Sequence, residues 1–394
     1  MEQTLSNDRQ IAYHRQQINP EVIPDSKLTF AYDDIHTTGA EGAGSKATSS
    51  KYTKICTEIS GEEHKVTTTV DTEGAKFEVS SSIKAGGRDD KLITKALKEI
   101  NDDFHDAIKI NLALGSTILE KLVALFEDKD DVIRELASRA VMQIARAERG
   151  RETLVENKIV DNVAKLFEDE VEAIRANSYD TLIYLADFQY GIDSVISFDI
   201  IQILVDRLIL EPEEPILIQI LTLLKILLEG ERAPSIILST QALSRLNDHL
   251  KSENKIIREL SALCLGSISY NERGKEYTIK AESIPPLCEM LDDSITNCRI
   301  AATRALASLA QLKEGKVEIH TLERLDRIIE LLDDPNEQLR LNVVQLIANV
   351  SEYPPCREKF KECLKKLQDL EDDSTFPLVS RFAEVAIKTI TWIP

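Results

Sequence analysis

The sequence predicts an all-α solenoid in which one helical unit of about 41 residues repeats along most of the chain. The first observation is a register of arginines with spacings of 41, 83, 41 and 41, where 83 is one period of 41 plus one of 42. The second is the length of 394 residues, which is more than one compact core normally serves. The arginines are Arg134, Arg175, Arg258, Arg299 and Arg340.

The residues around each arginine indicate amphipathic helices. In the first unit Phe126 precedes the arginine by eight residues, and Val141 and Ile144 follow it by seven and ten; later units repeat apolar residues there. Such an apolar face needs a neighbouring unit to pack against. Acid-rich turns such as Asp292-Asp293 suit the positive end of the following helix. A glycine recurs further along four of the units and predicts a turn with positive φ. These glycines are Gly150, Gly191, Gly274 and Gly315, each at the same distance from its arginine.

The third unit departs from the pattern. Where the period requires an arginine, the chain has Ile216 and Leu217, within a segment that is more apolar than its counterparts. This predicts a unit that is buried on more sides. The alternative is an exposed apolar patch, which would be a docking site for a partner.

The end of the array is also atypical. Cys356 replaces the glycine of the fifth unit, and Pro354-Pro355 before it is predicted to stop a helix. Arg381 keeps the period, but Asp373 and Lys388 occupy positions that are apolar in the other units. The segment from Phe376 to Ile393 is therefore predicted to be a capping helix that closes the stack.

Residues 1–88 have a different composition and are predicted to form an irregular N-terminal arm, with the solenoid covering 89–394. Apolar and polar residues alternate on both sides of a glycine-containing connection, which predicts a hairpin at 64–84. A lone hairpin is marginal in water, so it would rest on the first repeats or pair with a partner's strand. A mostly disordered arm is the alternative. The candidate pairing residues are Val66, Val70, Phe77 and Val79.

Charge and composition exclude several classes of function. Lys and Arg total 48 and Asp and Glu total 68, so 48 − 68 leaves a formal charge of −20, which argues against nucleic-acid binding. The start of the chain has no signal-peptide pattern, and the longest apolar stretch, from Ile216 to Leu228, is shorter than the ~20 residues of a membrane span. Six cysteines without a C-x-x-C pair predict reduced packing residues in an intracellular protein. We expect no membrane partner.

Motifs for catalysis are also missing from the sequence. The segment from Gly39 to Lys46 resembles a phosphate-binding loop, but the order Gly-Ser-Lys-Ala lacks the Gly-Lys-Ser/Thr that contacts phosphate and magnesium. The six histidines are dispersed, with no pair at a zinc-binding spacing. We expect no enzyme, no cofactor, no metal and no small-molecule ligand.

The repeat unit resembles that of the armadillo family. The segment from Leu122 to Gly150 is near that family's repeat length and places the glycine between units. The resemblance covers roughly residues 89–394. It implies a right-handed superhelix of three-helix repeats that binds protein partners and does not catalyse reactions.

A narrower resemblance is to the radial spoke head protein 14 family, which comprises axonemal armadillo proteins of motile cilia. It runs through Ser252 to Arg258, Gly266 to Leu287, Thr303 to Lys316 and the tail Ala386 to Ile390. The resemblance implies a cytoplasmic protein of the ciliary axoneme, built into the radial spoke, with other spoke or axonemal proteins as partners. Residues 1–88 are not explained by it.

Peptide-binding armadillo proteins carry a ladder of asparagines whose amides hold an extended ligand. By this resemblance the matching positions lie nine residues after each arginine, and only one keeps asparagine, so an importin-like grip on a basic peptide is not expected. We call these positions the ladder row: Gln143, Tyr184, Ile226, Ser267, Ser308 and Asn349.

Two hypotheses remain at this point. The first is a structural scaffold of the radial spoke that uses its solenoid surface and N-terminal arm for docking, with Tyr184 as a candidate contact or as a cover for the adjacent repeat. The second is a transient adaptor or assembly chaperone that holds client peptides in an acidic groove. The altered asparagine ladder disfavours the second hypothesis, and the acidic charge and the arm favour it.

Overall fold

The computed structural model describes residues 64–72, 75–83, 90–114, 117–196, 200–228, 241–373 and 375–392. In this part of the chain the solenoid is entirely helical and of the armadillo type, as the sequence predicts. Each complete unit consists of two short helices followed by one long helix. The long helices are α1 (Asp90–Asp103), α4 (Asp131–Arg146), α7 (Glu172–Leu185), α10 (Glu214–Leu227), α12 (Lys255–Ile268), α15 (Thr296–Leu309), α18 (Glu337–Val350) and α21 (Pro377–Thr391).

The shorter helices lie between the long ones in the chain. Several of them end in a single turn of 3₁₀ helix, such as Met290–Asp292, before the turn that leads into the long helix. The shorter helices are α2 (Ala107–Ala113), α3 (Ile118–Ala124), α5 (Glu148–Glu156), α6 (Val160–Ala164), α8 (Gln189–Ile196), α9 (Ile200–Leu210), α11 (Ala242–His249), α13 (Glu272–Lys280), α14 (Ile284–Glu289), α16 (Lys313–Thr321), α17 (Leu325–Glu330), α19 (Pro354–Phe360) and α20 (Leu364–Asp372).

The long helices pack side by side in chain order, from α1 against α4 to α18 against α21, and form one layer. The short helices cover one side of this layer, and the apolar residues between the two form a continuous core. The other side of the layer we call the open face. It carries Arg139, Asp180, Thr222, Leu263, Arg304 and Gln345, each of which is exposed or half-buried.

The repeating arginine links each unit to the next. Nη1 of Arg258 donates hydrogen bonds of 2.9 Å to the carbonyl oxygens of Ser252 and Glu253 in its own turn. Nε and Nη2 donate to the carboxylate of Asp293 in the following unit, at 2.7 and 3.1 Å. This is the bidentate, charge-assisted geometry that makes arginine–carboxylate pairs strong. The arrangement also joins Arg134 to Asp169, Arg175 to Glu211 and, through one nitrogen, Arg299 to Asp334.

The acid-rich turns therefore have a second role besides the favourable interaction with a helix end. In each of these pairs the acid belongs to the turn before the next long helix and bonds the arginine of the preceding unit. Its carboxylate also accepts a hydrogen bond from the backbone N–H two residues on, as Asp293 does from Ile295 at 2.9 Å. The acid thus fixes both its own turn and the contact between units.

The third unit is buried where its arginine is missing, which confirms that prediction. Ile216 is 0 % exposed and Leu217 is 7 % exposed. The acid position of the following unit is occupied by Ser252 instead of a carboxylate. The arginine and its partner are therefore lost together, and no charge is left uncompensated at this junction.

The recurrent glycines do not lie in turns with positive φ, so that prediction is wrong. Gly274 lies inside α13, and its backbone passes against the last turn of α12. A Cβ atom there would stand 1.8 Å from the carbonyl oxygen of Ile268. Gly150, Gly191 and Gly315 approach the end of the preceding long helix in the same way. The glycine is needed because two backbones meet, which leaves no room for a side chain.

The positive φ angles occur eight residues later, between the two short helices of a unit. Lys158, Glu282 and Glu323 have φ of 55°, 58° and 55°, and all three stand at the same distance from the arginine of their unit. The prediction for Pro354-Pro355 is also wrong. These prolines begin α19, where a missing N–H costs no hydrogen bond, whereas α18 has already ended at Val350.

Two antiparallel strands, β1 (His64–Thr72) and β2 (Ala75–Ile83), occupy the segment for which a hairpin is predicted. Their register pairs Val70 with Phe77, Thr68 with Val79 and Val66 with Ser81. Residues 1–63, which include the Gly39 to Lys46 loop and Cys56, lie outside the described residues.

Candidate protein-binding surface

The ladder row lies on six successive long helices. Each residue stands at the edge of the open face, on the side of its helix that is turned toward the preceding unit. Gln143 and Ser267 are buried, at 3 % and 9 % exposed, and the other four are half-buried. The row is therefore largely covered by the solenoid itself.

Two polar members of the row are bonded between units. The amide Nδ2 of Asn349 donates to the carbonyl oxygen of Ala307 at 2.8 Å, and the hydroxyl of Ser308 donates to the carbonyl oxygen of Ser269 at 3.0 Å. Both acceptors belong to the preceding unit. These donors stabilise the contact between units, so they are already in use and do not point at a ligand as free groups.

Tyr184 is half-buried and packs against the core next to Arg146 and Asp180. Burial raises the pKa of its phenol above the usual value, and the nearby Arg146 opposes this shift. Burial likewise raises the pKa of Asp180, whose carboxylate accepts a 2.6 Å hydrogen bond from Nε2 of Gln219. Tyr184 thus covers part of its own unit and leaves only part of its ring for a partner.

The N-terminal end of the row contains unpartnered acceptors. The amide Nδ2 of Asn101 donates to the carbonyl oxygens of Leu97 and Leu136, at 2.8 and 2.9 Å. Oδ1 of Asn101 and Oε1 of Gln143 are buried without a hydrogen-bond partner. Both residues border a concavity of about 180 Å³ between α1 and α4. Its lining residues are Lys98, Asn101, Asp102, His105, Leu136, Arg139 and Gln143.

The open face is not uniformly acidic. Arg139 and Arg304 are exposed on it, and Arg146 lies beside Asp180. Thr222 and Leu263 occupy the equivalent positions in the middle units. The excess of 20 negative charges in the chain is therefore not concentrated along the described part of this face.

The carboxylates that bind the repeating arginines have lowered pKa values. For Asp293, burial alone would raise the pKa, but the hydrogen bonds from Arg258 and from the Ile295 N–H outweigh it and hold the pKa below the usual 3.8. The same balance lowers the pKa of Asp169 and of Asp334.

A carboxylate with a lowered folded-state pKa stabilises the fold above its unfolded-state pKa, and this stabilisation is lost as the pH falls through the folded-state pKa. We therefore expect the free energy of unfolding to fall below about pH 4. The Asp293→Asn variant should be less stable than the parent near pH 7, and the difference should shrink toward about pH 3. Urea unfolding of both proteins across this range checks the expectation, and a difference that does not change with pH would contradict it.

Other kinds of site receive no support from the described residues. Among them, no three His, Cys, Asp or Glu side chains are grouped as ligands for a metal ion. In the same part of the chain, no helix is both long and apolar enough to cross a lipid bilayer. Five cysteines have free thiols and are buried: Cys264, Cys288, Cys298, Cys356 and Cys363.

No protein-family model matches the chain. Among solved structures, an engineered protein from the Northeast Structural Genomics Consortium superposes with a TM-score of 0.71 at 18% identity, over 78% of this chain and 77% of that protein. A second engineered protein from the same consortium gives a TM-score of 0.55 at 18% identity, over 59% of this chain and 96% of that protein. A designed armadillo repeat protein matches at 20% identity with a TM-score of 0.42, over 69% of this chain and 99% of that protein. The first two likenesses concern the fold alone.

Proposed function

We propose that this chain is a non-catalytic protein-binding scaffold that is built into the radial spoke of the ciliary axoneme, as its resemblance to the radial spoke head protein 14 family implies. Its partners are neighbouring spoke or axonemal proteins, which it contacts through its solenoid surface and N-terminal arm. Protein binding is the role that a repeat solenoid with an extended surface serves best.

The observation that carries the scaffold proposal is the use of the ladder row between units. A solenoid that holds a transient peptide needs free amides along its open face, whereas the Asn349 amide and the Ser308 hydroxyl bond the preceding unit. The arginine–carboxylate pairs join most units in the same manner. These contacts favour a rigid spacer with permanent neighbours.

A transient adaptor is the second candidate, and one observation favours it. The unpartnered oxygens of Asn101 and Gln143 beside the concavity between α1 and α4 are acceptors that a partner's backbone N–H groups could satisfy. This support is confined to the N-terminal end of the row.

Fractionation of isolated motile cilia tests the proposal. We expect the chain to remain with the axoneme after detergent and high salt, and to be lost from axonemes that lack radial spokes genetically. A matched variant that lacks residues 1–88 should be retained less well if the arm contributes to docking. Release into the soluble fraction, or presence mainly in the cell body, would contradict the scaffold and favour the adaptor.

A further inference from the structure

The last long helix, α21, exposes a row of alternating apolar and basic side chains. Leu378, Val385 and Trp392 are 41 %, 44 % and 56 % exposed. Arg381 and Lys388 lie between them in the sequence and are also exposed. The spacings of three and four residues place all five on one side of the helix. We call this set the end face.

The end face corresponds to the side by which earlier long helices contact the next unit. In α18 the repeating arginine is Arg340, and the residues four, seven and eleven positions after it are each 0 % exposed because α21 packs on α18. Those residues are Val344, Ile347 and Ser351. The same four positions in α21 are occupied by Arg381, Val385, Lys388 and Trp392. The surface that packs a helix elsewhere in the solenoid is thus open at its C-terminal end.

The end face is not a copy of the internal contact. Lys388 occupies a position where every other unit with a repeating arginine has Val, Leu or Ile. Trp392 replaces the alanine or serine that stands at the equivalent position of each of those units. A unit with an apolar surface alone would therefore leave the lysine without a partner. The chemistry of this face calls for carboxylates next to apolar side chains.

Charge supports the same occupant. The chain carries a net charge of −20, yet both charged residues of the end face are basic. Arg381 forms no hydrogen bond or ion pair with any described residue, whereas each of the arginines Arg134, Arg175, Arg258 and Arg299 binds a carboxylate of the following unit. Lys388 is paired only with Glu384 of its own helix. Two copies packed through this face would bring like charges together, which disfavours self-association.

We infer that the end face of α21 binds an amphipathic helix of a partner protein, one that supplies a carboxylate to Arg381 and to Lys388 and apolar side chains to Val385 and Trp392. The partner helix lies in the place that the next long helix of the solenoid would occupy. This contact is separate from the open face and does not depend on the ciliary location of the protein.

Trp392 is the only tryptophan of the chain, so its fluorescence reports on this surface directly. Its ring centroid lies 5.2 Å from Cζ of Arg357, and the residue is still more than half exposed. The full-length protein is titrated with a stapled helical peptide of about 20 residues that carries leucines at spacings of three and four and glutamates beside them. A second peptide has lysines in place of the glutamates. We expect the acidic peptide to shift the tryptophan emission to shorter wavelength with saturation, and the basic peptide to have no such effect.

Substitutions then locate the binding surface. Arg381→Glu and Val385→Asp should each weaken binding of the acidic peptide by about tenfold or more. Leu210→Asp is the matched control, because Leu210 is 65 % exposed on α9 and belongs to another surface. All three positions are exposed, so the variants should keep the helical circular dichroism of the parent.

Several outcomes would overturn the inference. These are an equal response to both peptides, no response to either, or unchanged binding by Val385→Asp. Sedimentation of the protein alone provides a further check. A mass that doubles with concentration, and that returns to the monomer value in Val385→Asp, would assign the end face to a second copy of the chain.

Discussion

Replacing Gly274 by alanine is expected to lower the free energy of unfolding by about 3 kcal/mol or more, the largest effect we anticipate for removing or adding a single methyl group. The new Cβ would stand 1.8 Å from the carbonyl oxygen and 2.8 Å from the carbonyl carbon of Ile268. These are backbone atoms at the end of α12, so they cannot turn away as a flexible side chain would. The Gly274 N–H also donates to Oδ1 of Asn271 at 2.7 Å, which ties α13 to its position.

Gly266→Ala is the matched control for this prediction. Gly266 lies inside α12, and a Cβ there would meet Ala305 at 3.7 Å, an ordinary van der Waals distance. Alanine in a helix interior is favoured over glycine by roughly 0.5–1 kcal/mol, so this variant should be slightly more stable than the parent. Urea or thermal unfolding of the two variants measures the contrast. Equal behaviour would show that close backbone contact is not the reason for the recurrent glycine.

Replacing Glu211 by alanine is expected to destabilise the fold by about 3–5 kcal/mol, because two partly buried guanidinium groups would lose their counter-charge. The side chain of Glu211 is 0 % exposed. It accepts hydrogen bonds of 3.1 and 2.9 Å from Nε and Nη2 of Arg175, and one of 3.3 Å from Arg207. Removing the carboxylate leaves both arginines inside the solenoid with a large desolvation cost.

Glu358→Ala provides the control for this second prediction. Glu358 pairs with Lys361 on the surface, where the two side chains are 72% and 49% exposed, so the loss should be at most about 0.5 kcal/mol. Glu211→Gln should fall between the two because it keeps hydrogen-bonding atoms and loses the charge. Chemical denaturation of the three variants tests the order. If Glu211→Ala costs no more than Glu358→Ala, the arginine–carboxylate pairs do not stabilise the contacts between units.

The period and the helical character of the solenoid could be predicted because both are properties of spacing along the chain. Arginines that recur with a constant period, with apolar residues at constant distances from them, require one packed unit that repeats. The loss of the arginine at Leu217 and the capping position of α21 were visible for the same reason. The paired acid six residues before each following arginine, as in Asp293 before Arg299, was also present in the sequence, but its role requires knowing which turn faces which.

The candidate site was less predictable. The ladder row could be located by its register, but the register does not say whether Asn349 faces a ligand or the carbonyl oxygen of Ala307. The end face was predicted only as a cap, because the exposure of Val385 and Trp392 depends on the absence of a further packed helix.

The sequence by itself determined the helical repeat, the length of the unit and the place where the array begins to change, since hydrophobic periodicity acts through local geometry. Only the tertiary structure decided why Gly274 must be glycine, which carboxylate each arginine binds and which surface stays open. These properties depend on distances between atoms of different units, such as the approach of α13 to the end of α12. The sequence pattern constrains such distances only through the packed fold.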